Sequence, residues 1–316
     1  MGTPFLEAKK FLRDSRSRRI LITFHSLGDA DAVGAAFALK SVLPNSIILK
    51  QDHITREARN MIEHLGLKLD SILPAPRYDG IIVIDTASRT LLPAIGSQQI
   101  SLVIDHHSKH LDAVKPKIKL IDDTASSSCE IVYELIKPVK KPEVAVCLLA
   151  GIIADSFFFR SANQRTFQAV SELLPVAEKA KLDYHGILSL IDLRPDFSQR
   201  IALLKAAQRV QFEKVGQYLI AFSSIGSNEA AAANSLVDLG ADVAFVSCVG
   251  KDLRISGRMR QGMEHMLNLA EIMHQASRKF GGSGGGHPPA AGLTTNNVSK
   301  EKEALEFCVK SAMQKL

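Results

Sequence analysis

The sequence lacks the features that would support a membrane, disulfide or extended base-stacking function. Tryptophan is absent, and aromatic residues make up only 6% of the 316 positions, so no long aromatic platform for single-stranded nucleic acid is visible. The four cysteines form no CxxC pair, which argues against a zinc site or a disulfide framework. The most apolar stretch, 147–159, is shorter than the ~20 residues that cross a bilayer and contains Asp155. We therefore expect a cytoplasmic protein without a membrane partner.

The chain does carry a moderate excess of basic residues. Lys and Arg number 39 against 33 Asp and Glu, which gives a formal net charge of +6. This excess is compatible with a polyanionic partner but does not establish one. A chain of this length suggests about two domains, and 46% hydrophobic with 23% charged residues is the composition of an ordinary globular protein.

Short apolar runs alternate with helical patterns along the first two thirds of the chain. Apolar strands separated by helices are typical of a mostly parallel sheet that is covered on both faces, and the strand–helix pattern restarts after Gly216. We predict an α/β protein with an N-terminal, mostly parallel, doubly wound sheet and a smaller C-terminal α/β domain. The predicted segments are a first domain at 1–195, a connecting helix at 196–215 and a second domain at 216–316. The predicted strands of the first domain are Ile20–Phe24, Ser46–Leu49, Ile81–Ile84 and Ser101–Ile104.

Three of these predicted strands are followed at once by residues that bind metals. The carboxyl ends of strands in open α/β sheets line the ligand crevice, so side chains at these ends are expected to converge. A first group follows Phe24, a single acid follows Ile84, and a third group follows Ile104. The candidates in chain order are His25, Asp29, Asp31, Asp85, Asp105, His106 and His107.

These acidic and imidazole side chains together indicate a metal site. A single Asp after a strand is more often a turn or helix-cap residue than a catalytic one. Several carboxylates held close together would repel one another, and divalent cations remove that cost. Mixed carboxylate and imidazole ligands suit Mn²⁺ better than Ca²⁺ or a thiolate-bound ion, with Mg²⁺ and Co²⁺ as alternatives. So many ligands favour two metals, roughly 3.5–4 Å apart as in binuclear hydrolases.

A basic strand and a glycine-rich segment form a second candidate site near the C-terminus. Alternation along 253–260 puts Arg254, Arg258 and Arg260 on one face, which suits phosphate. A charged edge strand that resists aggregation explains this pattern equally well. Glycines at 281–286 would let the backbone approach a ligand, and the His-Pro-Pro-Ala-Ala stretch after them would open a helix whose N-terminus attracts an anion. A flexible linker is the alternative explanation.

Taken together, the motifs resemble the DHH phosphoesterase superfamily with its DHH-associated C-terminal domain, including RecJ-like and nanoRNase-like proteins. The resemblance lies in His-Ser-Leu-Gly-Asp-Ala-Asp at 25–31, the isolated Asp85, Asp-His-His at 105–107, Gly-Ile-Ile-Ala-Asp-Ser-Phe at 151–157 and Gly-Gly-Gly-His-x-x-Ala-x-Gly at 284–292. It extends over nearly the whole chain. One departure is Leu27-Gly28, where a proline often precedes the first Asp of the family pattern.

The resemblance implies a role for each candidate residue. One metal would be held by His25, Asp29 and Asp85. The other would be held by Asp31, Asp85, His106 and Asp155, with Asp85 bridging. His107 would point to the scissile phosphate, with Asp105 as an orienting group. The residues implied to bind the far end of the substrate are Arg258, Gly284, Gly285, Gly286 and His287.

The resemblance also implies the reaction, which is hydrolysis of short oligonucleotides by a water that two metals activate. Proteins of the nanoRNase type often also dephosphorylate 3′-phosphoadenosine 5′-phosphate. The expected partner is a short single-stranded nucleic acid or nucleotide, bound in a cleft between two domains. The sequence is also compatible with a homodimer. The motifs are also compatible with a single-strand-specific RecJ-like exonuclease, a cyclic dinucleotide phosphodiesterase or a non-catalytic, replication-associated binding protein. A family II pyrophosphatase fits less well because its second domain lacks the glycine–histidine loop.

Overall fold

The computed structural model divides the chain into two compact units, Met1–Leu193 and Arg194–Leu316, here called the N-terminal and C-terminal units. Within the described residues, no helix is both long enough and apolar enough to cross a membrane. The described residues are 2–71, 78–108, 112–192 and 195–316.

A sheet of five parallel strands forms the centre of the N-terminal unit. The strands are β1 (Ile20–Phe24), β2 (Ile47–Leu49), β3 (Gly80–Ile84), β4 (Leu102–Asp105) and β5 (Ile118–Ile121). They lie in the order β2-β1-β3-β4-β5. Four of the five were predicted. The fifth, β5, escaped prediction because it is a short edge strand interrupted by Lys119.

The N-terminal unit contains seven α-helices in the part of the chain that the structure describes, and all seven contribute to the main core. They are α1 (Thr3–Asp14), α2 (Ala30–Val42), α3 (Arg56–Leu65), α4 (Ser128–Ile136), α5 (Pro142–Asp155), α6 (Gln164–Ala177) and α7 (Tyr184–Ile191). Short 3-10 helices occur at Arg89–Leu91, Pro93–Ile95 and Glu178–Ala180. The main core joins one face of the sheet to α2, α4 and α5, and a smaller core covers the other face.

Two glycines let α2, α4 and α5 approach one another closely. A Cβ atom added to Gly34 on α2 would lie 2.4 Å from the carbonyl oxygen of Cys147 on α5. A Cβ atom on Gly151 would lie 2.4 Å from Cys129 Sγ and 2.9 Å from Asp31 Cα. Such distances leave no room for a side chain, so these glycines determine how near the helices come. This packing brings the end of α5 to the start of α2.

The C-terminal unit contains a mixed sheet of six strands. They are β6 (Gln211–Val215), β7 (Tyr218–Ile225), β8 (Val243–Val249), β9 (Leu253–Met259), β10 (Ser283–His287) and β11 (Ala290–Thr295). Their order is β10-β11-β9-β8-β7-β6. Among the described residues of this sheet, β7 and β8 pair in parallel and the other neighbouring strands pair antiparallel. The helices of this unit are α8 (Phe197–Arg209), α9 (Glu229–Asp238), α10 (Leu269–Phe280) and α11 (Glu301–Met313), and a 3-10 helix lies at Val298–Lys300.

The predicted α/β fold, with a parallel N-terminal sheet and a smaller C-terminal α/β unit, is confirmed. The segment 196–215 is not one helix, however, because α8 ends at Arg209 and β6 follows. Gly216, at φ +59, allows a tight turn in which Val215 pairs with Tyr218, and this hairpin stops the helix.

The residues after the glycine run also differ from the prediction. They do not open a helix. Instead β10 and β11 form an antiparallel hairpin that pairs His287 with Ala290. The two prolines occupy the turn between the strands, where no N–H is needed for the ladder, and β11 is held by β9 on its other side.

Candidate metal centre

Three neighbouring parallel strands bring the predicted metal-binding residues to one edge of the sheet. β1, β3 and β4 lie side by side, and their carboxyl ends meet at the same edge. His25 follows β1, Asp85 follows β3, and β4 ends at Asp105 with His106 and His107 directly after it. The convergence expected from the sequence is therefore present.

Asp85 lies at the centre of this group, and its side chain is only 3% exposed. Its Oδ2 atom is 3.1 Å from His25 Nε2, and its Oδ1 atom is 3.5 Å from His106 Nε2. Each oxygen of one carboxylate thus faces a different imidazole. A carboxylate with this arrangement is suited to lie between two cations.

Two separate sets of three residues at this edge of the sheet meet the distances of a metal site. The ligand atoms of His25, Asp29 and Asp85 lie within 4.8 Å of one another, and so do those of Asp31, His106 and Asp155. The two sets share no residue. A further set joins Asp85 and His106 to His107. The structure therefore brings together all six residues that the resemblance implied as metal ligands.

The start of α2 supplies two of the carboxylates. Asp29 is the N-cap of this helix, and its Oδ1 atom accepts a 2.9 Å hydrogen bond from the Ala32 N–H. Asp31 lies in the first turn and is 1% exposed. Its two oxygens accept main-chain hydrogen bonds from Ser128 at 2.7 Å and Cys129 at 2.8 Å. The N–H groups at the start of α4 therefore stabilise a buried carboxylate, as helix N-termini do.

The carboxylates and imidazoles shift one another's pKa values strongly. Burial raises the pKa of Asp31 well above its usual range, and the charges of Asp85 and Asp155 raise it further. Burial alone would lower the pKa of His25, but Asp29 and Asp85 outweigh it and raise that pKa to about 10. Burial is outweighed at His106 as well, where Asp155 and Asp31 raise the pKa to about 9. Without a cation, protons are needed to balance this charge.

The donor atoms of these residues fit a divalent cation. His106 Nε2 and Asp155 Oδ2 are buried and 2.9 Å apart, yet neither atom makes a hydrogen bond of normal geometry with any described group. Buried polar atoms without a hydrogen bond are rare and call for an explanation. A shared cation is one, because both atoms point into the same space. Mixed oxygen and imidazole nitrogen ligands suit Mn²⁺ and related ions.

His107 lies beside the two metal-ligand sets and is held by Asp105. The Asp105 Oδ1 atom lies 2.9 Å from His107 Nδ1 and accepts a 3.0 Å hydrogen bond from the His107 main-chain N–H. The hydrogen bond with Asp105 raises the pKa of His107. Burial acts in the opposite direction but has a smaller effect, so the pKa is raised overall. The imidazole is about half exposed, at 54%. Asp105 is fully buried, so it can orient His107 but does not itself face a substrate.

A cavity of about 220 Å³ opens over these residues. Its wall includes side chains that the sequence analysis did not single out, among them Ser88 and Leu91. Ser128, which contacts both Asp31 and Asp85, was also missed. The serine run at 126–128 just before a helical pattern is an N-cap signal but carries no indication of its partners. The complete lining is His25, Asp29, Asp85, Thr86, Ser88, Leu91, His107 and Asp155.

Of the three arginines predicted on one face of the segment 253–260, only Arg258 is without a carboxylate partner among the described residues. Arg254 forms a 2.7 Å ion pair with Glu229, and Arg260 pairs with Asp242. The Arg258 guanidinium donates to Ser256 Oγ at 3.0 Å and to the Gly257 carbonyl at 2.8 Å. Its positive charge is therefore available to an anion.

His287 lies on the same face of the sheet as Arg258. Ala290 pairs with both residues across β11, so their Cα atoms are about 10 Å apart, two strand spacings. Ala290 lies between them on that face. His287 is exposed, and Arg258 is half-buried.

The glycines of β10 have close neighbours within the unit. A Cβ atom on Gly284 would lie 2.0 Å from the Met273 carbonyl oxygen, and one on Gly286 would lie 2.6 Å from the Ala290 carbonyl oxygen. A Cβ atom on Gly285 would come within 3.2 Å of His274. These contacts explain the glycines by packing against α10 and β11, and they argue against a flexible linker.

Comparison with known proteins decides the family. Residues 19–152 match the DHH family N-terminal domain, and residues 216–314 match the DHHA1 domain. An uncharacterized protein of Methanocaldococcus jannaschii is 32% identical over 312 residues, which cover 92% of this chain and 93% of that protein. The chain belongs to the DHH family. The resemblance drawn from the sequence is thus confirmed, and with it membership of a superfamily of phosphoesterases.

Two solved structures of low sequence identity share the fold of this DHH protein. An exopolyphosphatase-related protein from Bacteroides fragilis aligns with a TM-score of 0.67 at 16% identity, covering 98% of this chain and 96% of the other. A structure of exonuclease RecJ bound to manganese aligns with a TM-score of 0.59 at 12% identity, covering 98% and 94%. At such identities the likeness shows the fold alone.

Proposed function

We propose that this DHH protein is a two-metal phosphodiesterase that hydrolyses short oligonucleotides and also acts on 3′-phosphoadenosine 5′-phosphate. The observation that carries the proposal is the position of Asp85, whose two oxygens face His25 at 3.1 Å and His106 at 3.5 Å. The manganese named for the RecJ structure of the same fold supports the choice of metal.

Two ions would be held by the two sets of residues around Asp85. His25, Asp29 and Asp85 would bind one, and Asp31, His106 and Asp155 would bind the other, with Asp85 reaching both. When bound, two such ions supply positive charge to a phosphate and lower the pKa of an attacking water. The protein's own part is to hold six ligands in fixed positions, and the hydrogen bonds from α4 to Asp31 serve this end.

His107 would stabilise the negative charge that develops on the scissile phosphate. Asp105 holds its Nδ1 side, so Nε2 is the nitrogen left for a ligand. The raised pKa of His107 increases the protonated fraction near neutral pH. A preorganised positive charge beside the reacting phosphate favours the transition state.

The C-terminal unit would bind the remainder of the substrate. Arg258 is suited to a phosphate because a guanidinium makes paired hydrogen bonds to such oxygens. His287 lies on the same face of the sheet. Two groups of this kind, about 10 Å apart, match a ligand with more than one polar part.

The test is a comparison of substrates with the full chain and Mn²⁺. We expect RNA of two to five nucleotides to be hydrolysed fastest and 3′-phosphoadenosine 5′-phosphate to lose a phosphate. A rate that increases with strand length would replace the proposal with a RecJ-like exonuclease. Faster cleavage of cyclic di-AMP than of linear dinucleotides would make it a cyclic dinucleotide phosphodiesterase. Bound Mn²⁺ without turnover of any of these would favour a non-catalytic binding protein.

A further inference from the structure

Exposed apolar side chains lie in the cavity wall or next in the chain to the metal-ligand residues. Leu27 lies between His25 and Asp29 and is 60% exposed, and Leu91 lines the same cavity as the metal-ligand residues. Phe157 and Phe158 follow Asp155 and are 65% and 47% exposed. We call these four residues the apolar rim. Single exposed apolar residues are ordinary on a protein surface, but a group beside a polar cavity marks a ligand site.

The phenylalanines of the rim have an unusual backbone conformation. Phe157, Phe158 and Phe159 have φ angles of +51°, +56° and +70°, in the left-handed region that costs free energy for any residue with a Cβ atom. The phenylalanine sequence does not favour this conformation at three successive positions, so the surrounding structure must impose it. Strained backbone that the surrounding structure maintains is often found at functional sites.

Specific hydrogen bonds hold this strained turn against the end of α5. The Phe157 N–H donates to the Ala154 carbonyl at 3.1 Å, and the Phe158 N–H donates to the Ile153 carbonyl at 2.9 Å. The buried Ser156 hydroxyl accepts from the Phe159 N–H at 3.1 Å. Phe159 itself packs on Phe167 and Tyr184. The turn is therefore anchored through Phe159, while its first two aromatic rings remain exposed to solvent.

The turn is also close to the reacting groups. Two peptide units separate Phe157 from Asp155, so their Cα atoms are at most about 7.6 Å apart. The Asp155 carboxylate is in turn 2.9 Å from His106. The exposed Phe157 side chain is therefore attached two residues from a metal-ligand side chain.

We propose that Phe157 and Phe158 stack on the nucleobase next to the scissile phosphate and so select nucleotides over inorganic polyphosphate. The inference rests on the proposed phosphodiesterase function and adds its substrate class. Inorganic polyphosphate is charged along its whole length and gains nothing from an apolar rim. A nucleobase offers a π-face to an aromatic ring, whichever base it is.

The experiment measures base stacking separately from hydrolysis. The probe is 2-aminopurine ribonucleoside 5′-monophosphate, titrated with the full chain in Mg²⁺ while its fluorescence is followed. Stacking quenches this fluorescence, and the absence of tryptophan leaves the signal free of tryptophan emission. We expect quenching with the wild type, and a dissociation constant roughly five- to a hundredfold higher for Phe157→Gly and Phe158→Ala, the usual effect of losing one stacked ring.

Phe157→Gly separates a binding role from a structural one. Glycine relieves the left-handed strain, so we expect the melting temperature to rise by about 2–4 °C while binding of the probe weakens. Phe157→Tyr should retain binding. Phe212→Ala is the matched control, since Phe212 is also 65% exposed but lies on the edge strand β6.

Three outcomes would overturn the inference. They are no quenching with the wild type, equal quenching with Phe157→Gly and Phe158→Ala, or hydrolysis of inorganic tripolyphosphate as fast as of a dinucleotide. If the probe is quenched and the variants weaken it, but no phosphodiester is cleaved, the base site stands and the proposed hydrolysis fails. The two failures are therefore distinguishable.

Discussion

The Ser128 hydroxyl donates a 3.0 Å hydrogen bond to Asp85 Oδ1, although 43 positions separate the two residues in the chain. The main-chain N–H of the same serine donates to Asp31 Oδ2 at 2.7 Å. One residue at the start of α4 thus contacts a carboxylate from each of the two ligand sets. Its hydroxyl bond also holds the Asp85 oxygen that faces His106.

Replacing Ser128 with Ala should weaken metal binding without unfolding the protein. The variant keeps the N–H bond to Asp31 but loses the hydroxyl bond that orients Asp85. Groups that orient a metal ligand typically contribute about 10–100-fold to metal affinity or activity, and we expect an Mn²⁺ affinity lower by that factor in calorimetric titration. Ser46→Ala is the control, because Ser46 is also buried and donates only to the Leu43 carbonyl. Equal affinities for both variants would contradict a positioning role.

The Asp85→Asn substitution should abolish turnover and leave the fold intact. Asp85 has a φ of +60°, and Asn tolerates this left-handed conformation better than Ala does. The amide keeps the shape but loses the negative charge between the two imidazoles. We expect kcat/KM to fall by about 10²–10³-fold or more, as when a key electrostatic group is lost, in the oligonucleotide assay.

The thermal stability of the metal-free Asp85→Asn protein should equal or exceed that of the wild type. Burial raises the pKa of Asp85, which shows that its charge is unfavourable there without a cation. Asp52→Asn, at an exposed position, should change neither activity nor melting temperature. A normal rate with Asp85→Asn would disprove the assignment of ligands.

Mn²⁺ affinity should rise with pH between about 6 and 9. In the metal-free protein, Asp29 and Asp85 outweigh burial to raise the pKa of His25 to about 10, and Asp155 and Asp31 do the same at His106, to about 9. An imidazole binds a metal only when neutral, so Mn²⁺ must displace a proton from each protonated imidazole. As pH rises, a larger fraction of the imidazoles is neutral, and less free energy is spent on removing protons. Titrations in buffers of different ionisation enthalpy would measure the protons released. An affinity independent of pH over this range would contradict these pKa shifts.

Arg258→Ala should weaken substrate binding far more than Arg254→Ala. Arg258 has no carboxylate partner among the described residues, whereas Arg254 already pairs with Glu229. A charge-assisted hydrogen bond contributes about 1.5–3 kcal/mol, which is roughly a ten- to a hundredfold increase in KM for a dinucleotide at unchanged kcat. Equal effects of the two substitutions would show that β9 does not bind phosphate through Arg258.

Much of the fold was readable from the sequence because its signals are local. Apolar runs such as Ile20–Phe24 identify buried strands, and β9 was predicted from its alternation alone. The predictions failed where the structure depends on a partner strand. Gln211–Val215 became β6 because it pairs with β7, and Gly286 to Ala291 became a hairpin because β9 holds β11. Strand pairing is a long-range property, which a helical or polar pattern cannot reveal.

By itself, the sequence determined where the strands end and which residue types follow them, because the periodicity that identifies a strand is a local property of a few residues. That was sufficient to gather His25, Asp85 and His106 at one edge of a sheet. Only the tertiary structure decided that Asp85 turns one oxygen to each imidazole and that Ser128 holds it. It also decided the left-handed turn that exposes Phe157. The position of Ser128 depends on how closely α2, α4 and α5 pack through Gly34 and Gly151, and no local pattern encodes that packing.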